Sequence, residues 1–122
     1  MPWVVDVASD TGIPCAILCV QSYAVISAYY HYRHRIVEFP NSTASNLNVQ
    51  LPGLPMLCAH ELPYFLLENT PYKAITEAIF NQFKNMSKAS RVMVDSFEEL
   101  EKPVILSTAG FSPVTPVGPL YR

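Results

Sequence analysis

The chain has 122 residues, of which 50% are hydrophobic and 15% are charged, and its formal net charge is −2 at pH 7. The length suits one domain with a buried core, and the composition argues against disorder, which combines low hydrophobicity with high charge. The mixed charges also argue against a basic surface for nucleic acid. No apolar run reaches the roughly 20 residues that span a bilayer, and no signal peptide is evident. We therefore expect a cytoplasmic protein without a membrane span.

Cys15, Cys19 and Cys58 are the three cysteines, an odd number without the spacing of a disulfide framework. This pattern favours a reducing compartment and predicts no structural disulfide. Two of them lie in an apolar segment, where a free cysteine behaves as a small hydrophobic residue.

The first predicted elements are a short helix, a strand and a longer helix. Apolar residues at helical spacing predict a helix up to Asp10, and Gly12 ends it. Residues 15–20 form a continuous apolar run, which is typical of a strand buried on both faces. Ser22 is the expected N-cap of a helix from about Tyr23 to Arg35.

Residues 36–63 are predicted to be a long irregular connection, with Leu51-Pro52-Gly53-Leu54-Pro55 at its centre. A loop of this length in a compact domain is more often functional or disordered than a plain connector. We expect Thr70 to cap the next helix and Pro71 to occupy its first turn. The apolar stripe of this helix comprises Ala74, Ile75, Ala78, Ile79, Phe83 and Met86.

The remaining residues predict a strand, a short helix and a last strand. The first strand spans residues 91–95, and Ser96 with Glu99 forms a capping box for the helix, which is expected to continue into residues 105–108. The last strand spans residues 114–117. Helices and strands thus alternate along the chain, with one loop, and this order predicts a parallel α/β sheet.

The end of the first strand is the candidate ligand site. In open α/β sheets, ligands bind at the carboxyl ends of parallel strands, in the loops that lead to the helices. Val20, Gln21 and Ser22 occupy such a strand end.

Two groups of side chains are candidates for other chemistry. His31 and His34, with Cys58 and His60, resemble an incomplete zinc set, but no CxxC or HExxH pair supports it, so we interpret them as surface histidines and expect no metal. No GxSxG, GxGxxG or Walker motif is present either.

The acidic cluster Glu98, Glu99 and Glu101 lies near the N-terminal end of its own predicted helix. The helix dipole favours negative charge there, so we interpret the cluster as structural. Asp95 ends a strand and is better placed for function, although it equally suits a cap of the next turn. The residues alone therefore give a ligand-facing strand end and no catalytic constellation.

Six motifs, in order and in register over the whole chain, resemble plant UDP-dependent glycosyltransferases. They are Pro2-Trp3-Val4-Val5-Asp6-Val7-Ala8, Gly12-Ile13-Pro14 with Val20-Gln21-Ser22, Leu51-Pro52-Gly53-Leu54-Pro55, Glu61-Leu62-Pro63, Asp95-Ser96-Phe97-Glu98-Glu99-Leu100-Glu101 and Pro116-Val117-Gly118-Pro119-Leu120. Cys15-Ala16-Ile17-Leu18 and Ala28-Tyr29-Tyr30-His31-Tyr32 are most similar to the glucosyltransferases that form glucose esters of hydroxycinnamic, benzoic and related acids, a group that includes limonoid glucosyltransferase.

The resemblance implies a GT-B fold, in which two Rossmann-like domains face each other across a cleft. Residues 1–122 would be the C-terminal part of the acceptor-binding N-terminal domain, ending at the interdomain linker. The expected fold class is therefore α/β, a partial Rossmann-like parallel sheet with flanking helices. The donor UDP-glucose would be bound mostly by the other domain, no further cofactor is implied, and the full-length form would be a monomer.

The implied function is transfer of glucose from UDP-glucose to a small phenolic or carboxylic acceptor of plant secondary metabolism. The family's catalytic histidine and its partner aspartate would precede Met1, and the donor-binding box would follow Arg122. We therefore expect the chain alone to be inactive. The alternatives are a non-catalytic acceptor-binding or interaction module from a truncated gene, and a fragment that does not fold well.

The resemblance also suggests which residues contact the acceptor. Val20 stands where many relatives have a hydroxyl residue near the transferred sugar, and Gln21 or Ser22 would replace that hydroxyl. Tyr29 matches a helix position that lines the acceptor pocket, and Phe65 lies in a loop that borders it. An aromatic wall suits phenolic acceptors, whereas packing within the domain is the alternative role for each of these rings.

Overall fold

The computed structural model of the protein describes residues 2–41, 46–68, 70–107 and 114–118. Parts of two sequence predictions, Thr108 at the end of a helix and Pro119 and Leu120 in the last motif, lie outside these ranges. The helices and strands are, in chain order, α1 (Pro2–Asp10), β1 (Ala16–Cys19), α2 (Tyr23–Arg33), β2 (Val49–Gln50), β3 (Met56–Leu57), α3 (Lys73–Asn81), β4 (Arg91–Val94), α4 (Glu98–Ser107) and β5 (Val114–Pro116).

A three-stranded parallel sheet in the order β1-β4-β5 forms the centre of the fold. Ala16 pairs with Arg91 and Cys19 with Val94, whereas Val92 pairs with Val114 on the other side of β4. Helices connect the strands, as parallel pairing requires. The predicted α/β class with a parallel sheet is therefore confirmed.

The prediction that residues 15–20 are buried on both faces is wrong. Ile17 and Cys19 pack against the core, but Ala16 and Leu18 are exposed, and Leu18 keeps 48% of its surface accessible. Among the described residues, β1 is paired on one side only and lies at the sheet edge. An apolar run thus indicates that a strand tends to be buried, but it does not show whether other elements cover both of its faces.

The predicted irregular connection contains regular structure. β2 and β3 form an antiparallel hairpin in which Val49 pairs with Leu57, and two short 3₁₀ turns follow at Ala59–Glu61 and Tyr64–Leu66. Leu51, at the hairpin tip, is completely buried. The prolines and the glycine of this segment build a compact tip that covers the core, so the predicted irregular connection is interrupted by a hairpin.

The start of α3 differs from the prediction. Tyr72 occupies the N-cap position, and the Thr70 hydroxyl instead accepts a hydrogen bond from the Tyr72 amide at 3.4 Å. Ala74, Ile75 and Ala78 of the predicted stripe are exposed, because α3 lies on the surface and presents its last turn to the core. Phe83 and Met86 are buried as expected, but they follow the helix.

The predicted capping box of α4 is also absent. The helix begins at Glu98, and the carbonyl of Phe97 accepts the amides of Leu100 and Glu101. Ser96 therefore lies one position before the cap, and its carbonyl accepts the amide of Gly118 at 2.9 Å. Pro103 is accommodated inside the helix.

The apolar core lies between α2, the β2–β3 hairpin, β4 and α4. Its buried members come from these elements and from the 3₁₀ turn Tyr64–Leu66: Tyr23, Ile26, Tyr29, Val49, Leu51, Leu66, Val92, Val94 and Val104. Contacts between α2 and α4 close this core on the helical side of the sheet.

Gly53 marks the closest approach between the hairpin tip and α4. Its φ is +74°, and a Cβ built on it would lie 2.6 Å from the carbonyl carbon of Pro103 and 2.7 Å from Cα of Val104. Real Cβ atoms essentially never approach backbone so closely. The glycine is needed both for its left-handed conformation and for the space that it leaves.

We predict that Gly53→Ala lowers the free energy of unfolding by about 2–5 kcal/mol, because left-handed strain adds to overpacking against helix backbone. Gly12→Ala is the matched control, since Gly12 has φ +69° but nothing within 4 Å of a built Cβ. Gly12→Ala should lower the free energy of unfolding only through left-handed backbone strain, by about 1–2 kcal/mol. Urea unfolding measures both values, and equal losses would contradict the close approach.

A polar contact ties α1 to the segment before β4. Lys88 Nζ lies 2.6 Å from one carboxylate oxygen of Asp6, and Asn85 Nδ2 donates to the other at 2.9 Å. These bonds, that of Lys88 first, hold the pKa of Asp6 below its ordinary value of 3.8. Both side chains of the ion pair are about half exposed, so solvent screens the attraction.

A lowered folded-state pKa means that Asp6 stabilises the fold above pH 3.8 and that this contribution is lost as the pH falls through the lower folded value. We therefore expect Asp6→Asn to be less stable than the unmodified chain at pH 6 and the difference to shrink below pH 4. Asp10→Asn, on the same helix, is the control. Thermal unfolding across pH tests this; a difference that does not depend on pH would contradict it.

Candidate functional site

The carboxyl ends of the three parallel strands meet at one edge of the sheet. The carbonyl of Cys19 accepts the amide of Asp95 at 3.1 Å, and that of Val94 accepts the amide of Val117 at 3.0 Å. The segments that leave β1, β4 and β5 are therefore held side by side. This is the edge at which open α/β sheets bind ligands.

Gln21 and Ser22 lie together at this edge, between β1 and α2. Val20 is 66% exposed and Gln21 is exposed, whereas Ser22 is half-buried. The Ser22 hydroxyl accepts the amide of Val25 at 3.4 Å, so the predicted N-cap is confirmed. A hydroxyl that accepts one bond can still donate its proton, and the amide of Gln21 can donate or accept.

Glu101 closes the other side of this strand end. It comes from α4 and is only 5% exposed, yet its two carboxylate oxygens accept the amides of Tyr23 at 2.8 Å and Ala24 at 2.9 Å. These are the first two amides of α2, which have no partner within their own helix. The carboxylate therefore joins two elements across 78 residues of sequence.

Sequence reasoning assigned Glu101 correctly to a structural role but to the wrong helix terminus. The acidic cluster suggested an interaction with the dipole of its own helix, and only the pairing of β1 with β4 brings Glu101 to α2. One signal was available: Glu101 lies three residues after Glu98 and precedes apolar Val104 by three, so it shares a helix face with a core residue.

Tyr29 is placed inside the core and not on an open wall. It is 3% exposed, and its ring packs edge-on against Phe80 at 5.8 Å and tilted against Phe83 at 6.5 Å between centroids. Burial raises the pKa of its hydroxyl above the ordinary value of 10.0. In the described residues this ring joins α2 to α3, and its role at an acceptor stays a prediction.

Phe65 lies on a 3₁₀ turn at the margin of the same core. The ring is half-buried, packs against the core cluster and meets Tyr64 edge-on at 6.0 Å. Tyr64 itself is 51% exposed. The acceptor role of Phe65 also stays a prediction.

The histidines do not share one environment. His31, expected at the surface, is 4% exposed, and its Nδ1 lies 2.7 Å from the carbonyl of Ser27 one turn earlier, so that expectation is wrong. This bond gives Nδ1 a partner within the helix. His34 and His60 are exposed. Among the described residues, no three His, Cys, Asp or Glu side chains are grouped to hold a metal.

A cavity of about 1170 Å³ lies at the other end of α2 from Gln21 and Ser22. It is lined by Tyr32 and Phe80, which stack at 5.1 Å, and by three basic and three acidic side chains. Its charges balance, so nothing in its lining selects an anionic acceptor. We therefore place the candidate site at the strand ends. Within the described ranges, no helix has the length and apolarity needed to cross a membrane.

The three cysteines are free and half-buried. Cys19 lies on the inner side of β1, and burial raises the pKa of its thiol above the ordinary value of 9.0. A thiol in such surroundings is a poor nucleophile because the thiolate is the reactive form. Its position at the strand end therefore reflects packing and not covalent chemistry.

We predict that Cys19 in the folded chain reacts with iodoacetamide more slowly at pH 8 than the same cysteine in the urea-unfolded chain. The rate should continue to rise above pH 9, because the raised pKa delays thiolate formation. Mass spectrometry of peptides after timed alkylation measures this. Faster labelling of Cys19 in the folded state would indicate an activated thiol.

Comparison with curated proteins gives matches along the whole chain. The sequence is 45% identical over 122 residues to gallate 1-beta-glucosyltransferase of Punica granatum and 45% identical over the same length to limonoid UDP-glucosyltransferase of Citrus unshiu. The match covers 100% of this chain but 24% of each relative, so the chain spans about a quarter of their length. No family model matches.

Solved structures agree on the fold. Phytolacca americana UGT2, complexed with UDP-2fluoro-glucose and pterostilbene, superposes with a TM-score of 0.78 at 20% identity, over 99% of this chain and 28% of that one. A UDP-glucosyltransferase from Polygonum tinctorium gives a TM-score of 0.77 at 26% identity, over 99% and 27%. The expected partial GT-B architecture is therefore confirmed.

Proposed function

Since the chain matches plant UDP-dependent glycosyltransferases along its whole length, we propose that it forms the acceptor-side part of a UDP-glucosyltransferase. The parent enzyme would transfer glucose from UDP-glucose to a small phenolic or carboxylic acceptor. The observation that carries this proposal is the 45% identity to glucosyltransferases named for gallate and limonoids.

The strand end supplies binding groups suited to such an acceptor. Gln21 offers an exposed amide, Ser22 offers a hydroxyl proton, and Val20 offers apolar surface beside them. A phenolic acid presents the complementary groups, which are hydroxyls around an apolar ring. These residues would bind and orient the acceptor.

The chain itself is proposed to lack turnover. Activation of an acceptor hydroxyl needs a general base whose pKa lies near the operating pH, and neither Gln21 nor Ser22 has such a group. The resemblance implies that the family's catalytic histidine and its donor-binding box belong to segments that match no part of residues 1–122. Cytoplasmic location and a monomeric full-length form are proposed on the same basis.

A chimera tests the proposed function in a complete enzyme. The quarter of the Punica granatum gallate glucosyltransferase that matches this chain is replaced by residues 1–122, and UDP-glucose is supplied with a panel of phenolic and carboxylic acids. We expect glucosyl transfer to at least one of them. A chimera that folds and binds UDP-glucose but transfers glucose to no acceptor would contradict the proposal.

Gln21→Ala in this chimera should raise KM for the acceptor about 5- to 30-fold, since one hydrogen bond to a ligand contributes roughly 1–2 kcal/mol. Gln82→Ala, which makes the same change at the end of α3, is the control and should leave KM unchanged. Equal effects of the two substitutions would remove Gln21 from the acceptor site.

Experiments on the isolated chain distinguish the proposed function from the alternative, a binding module without turnover. Calorimetry with gallate in the absence of UDP-glucose detects binding without turnover, whereas product analysis with UDP-glucose detects transfer. We expect no glucose ester from the 122-residue chain. Clear turnover would show that it carries its own base and donor site.

A further inference from the structure

The N-terminus of α2 is an anion-binding position, and a carboxylate of the chain already fills it. Helix N-termini attract anions because their first amides are unpaired and the helix dipole is positive there. Glu101 lies at this position with one oxygen on each of two successive amides, those of Tyr23 and Ala24. A free carboxylate bound at a helix end would show the same arrangement.

No amide of the first turn of α2 is left for a ligand. Glu101 accepts the first two, the Ser22 hydroxyl accepts that of Val25, and the Ser22 carbonyl accepts that of Ile26 at 3.2 Å. The carboxylate is also shielded, since Glu101 is 5% exposed. A ligand anion could reach these amides only by displacing it.

Glu101 is held in place by a rigid framework. The next turn of α4 places Val104 in the core at 3% exposure, and the hairpin tip at Gly53 contacts the backbone of Pro103 and Val104. The start of α4 is fixed through Ser96, whose carbonyl accepts the amide of Gly118. α4 therefore fixes the position of the carboxylate, and the carboxylate in turn fixes the first turn of α2.

We propose that Glu101 is a positioning residue of the acceptor edge: its carboxylate fixes Gln21 and Ser22 at the start of α2 and excludes the carboxylate of an acceptor from the helix N-terminus. The second part rests on the proposed function. An acidic acceptor must then direct its carboxylate away from the first turn of α2, and its hydroxyl or ring edge meets Gln21 and Ser22.

The test uses the folded 122-residue chain and amide hydrogen exchange followed by NMR. Glu101→Gln keeps the size of the side chain but replaces one acceptor oxygen by an NH₂ group. We expect exchange of the Tyr23 and Ala24 amides to accelerate about ten- to hundredfold, because each loses a charge-assisted bond. Glu99→Ala, which removes an exposed carboxylate from the same helix, should leave both amides unchanged.

Chemical rescue distinguishes an anion site from simple packing. Glu101→Ala removes the internal carboxylate, and sodium acetate should then restore protection of the Tyr23 and Ala24 amides, whereas sodium chloride at equal ionic strength should not. The unmodified chain should show no acetate response, because the position is occupied. Glu101→Gln should show none either, since its side chain still fills the space.

Two results would overturn the proposal. One is acetate acting no more strongly than chloride on Glu101→Ala; the other is unchanged exchange of both amides in Glu101→Gln. If Glu101→Ala does not fold with or without acetate, the exchange of Glu101→Gln decides. None of these measurements needs an acceptor, so they are independent of the proposed function, which is contradicted only if the folded chimera transfers glucose to no acceptor.

Discussion

The parallel pairing of β1 with β4 is the constraint on which the rest of the structure depends. It joins Ala16 to Arg91 and Cys19 to Val94, segments that are far apart in sequence. Because the strands are parallel, the loops that follow them leave the sheet at the same edge. α2 and α4 consequently start side by side, and this allows the buried Glu101 of one helix to bind the first amides of the other.

The sequence motifs that carry the family resemblance meet around α4. Gly53 of the Leu51–Pro55 motif contacts the backbone of Pro103 and Val104, and Glu101, from the motif that begins at Asp95, binds the helix that follows Gln21 and Ser22. Gly118 of the last motif donates its amide to Ser96. Motifs that are separate in the sequence are thus connected to one another in the fold through α4 and the residues before it.

The helices and the strands of the parallel sheet could be predicted because they depend on local patterns, and their alternation along the chain indicated parallel pairing. Apolar runs, the N-cap Ser22 and the helix stop at Gly12 act over a few residues. The errors concern the β2–β3 hairpin, the starts of α3 and α4, and above all burial. Leu18 is exposed and His31 is buried, since the depth of each side chain depends on which element covers it, and the local pattern does not contain that information.

The candidate site was predictable in its location but not in its construction. Strand-end topology indicated Gln21 and Ser22, whereas the contact that holds them depends on Glu101, whose partners lie 78 and 77 residues away. The sequence allowed two roles for Tyr29, acceptor binding and packing within the domain. In the described residues its ring packs against Phe80 and Phe83.

The chemistry of the strand end also limits what it can do. Glu101 is only 5% exposed and its two carboxylate oxygens each accept a backbone amide of α2, so it is not placed to meet an acceptor. Gln21 has no basic atom at neutral pH, and the Ser22 hydroxyl already accepts the amide of Val25. Gln21 and Ser22 can therefore form hydrogen bonds with a ligand, but neither supplies a general base.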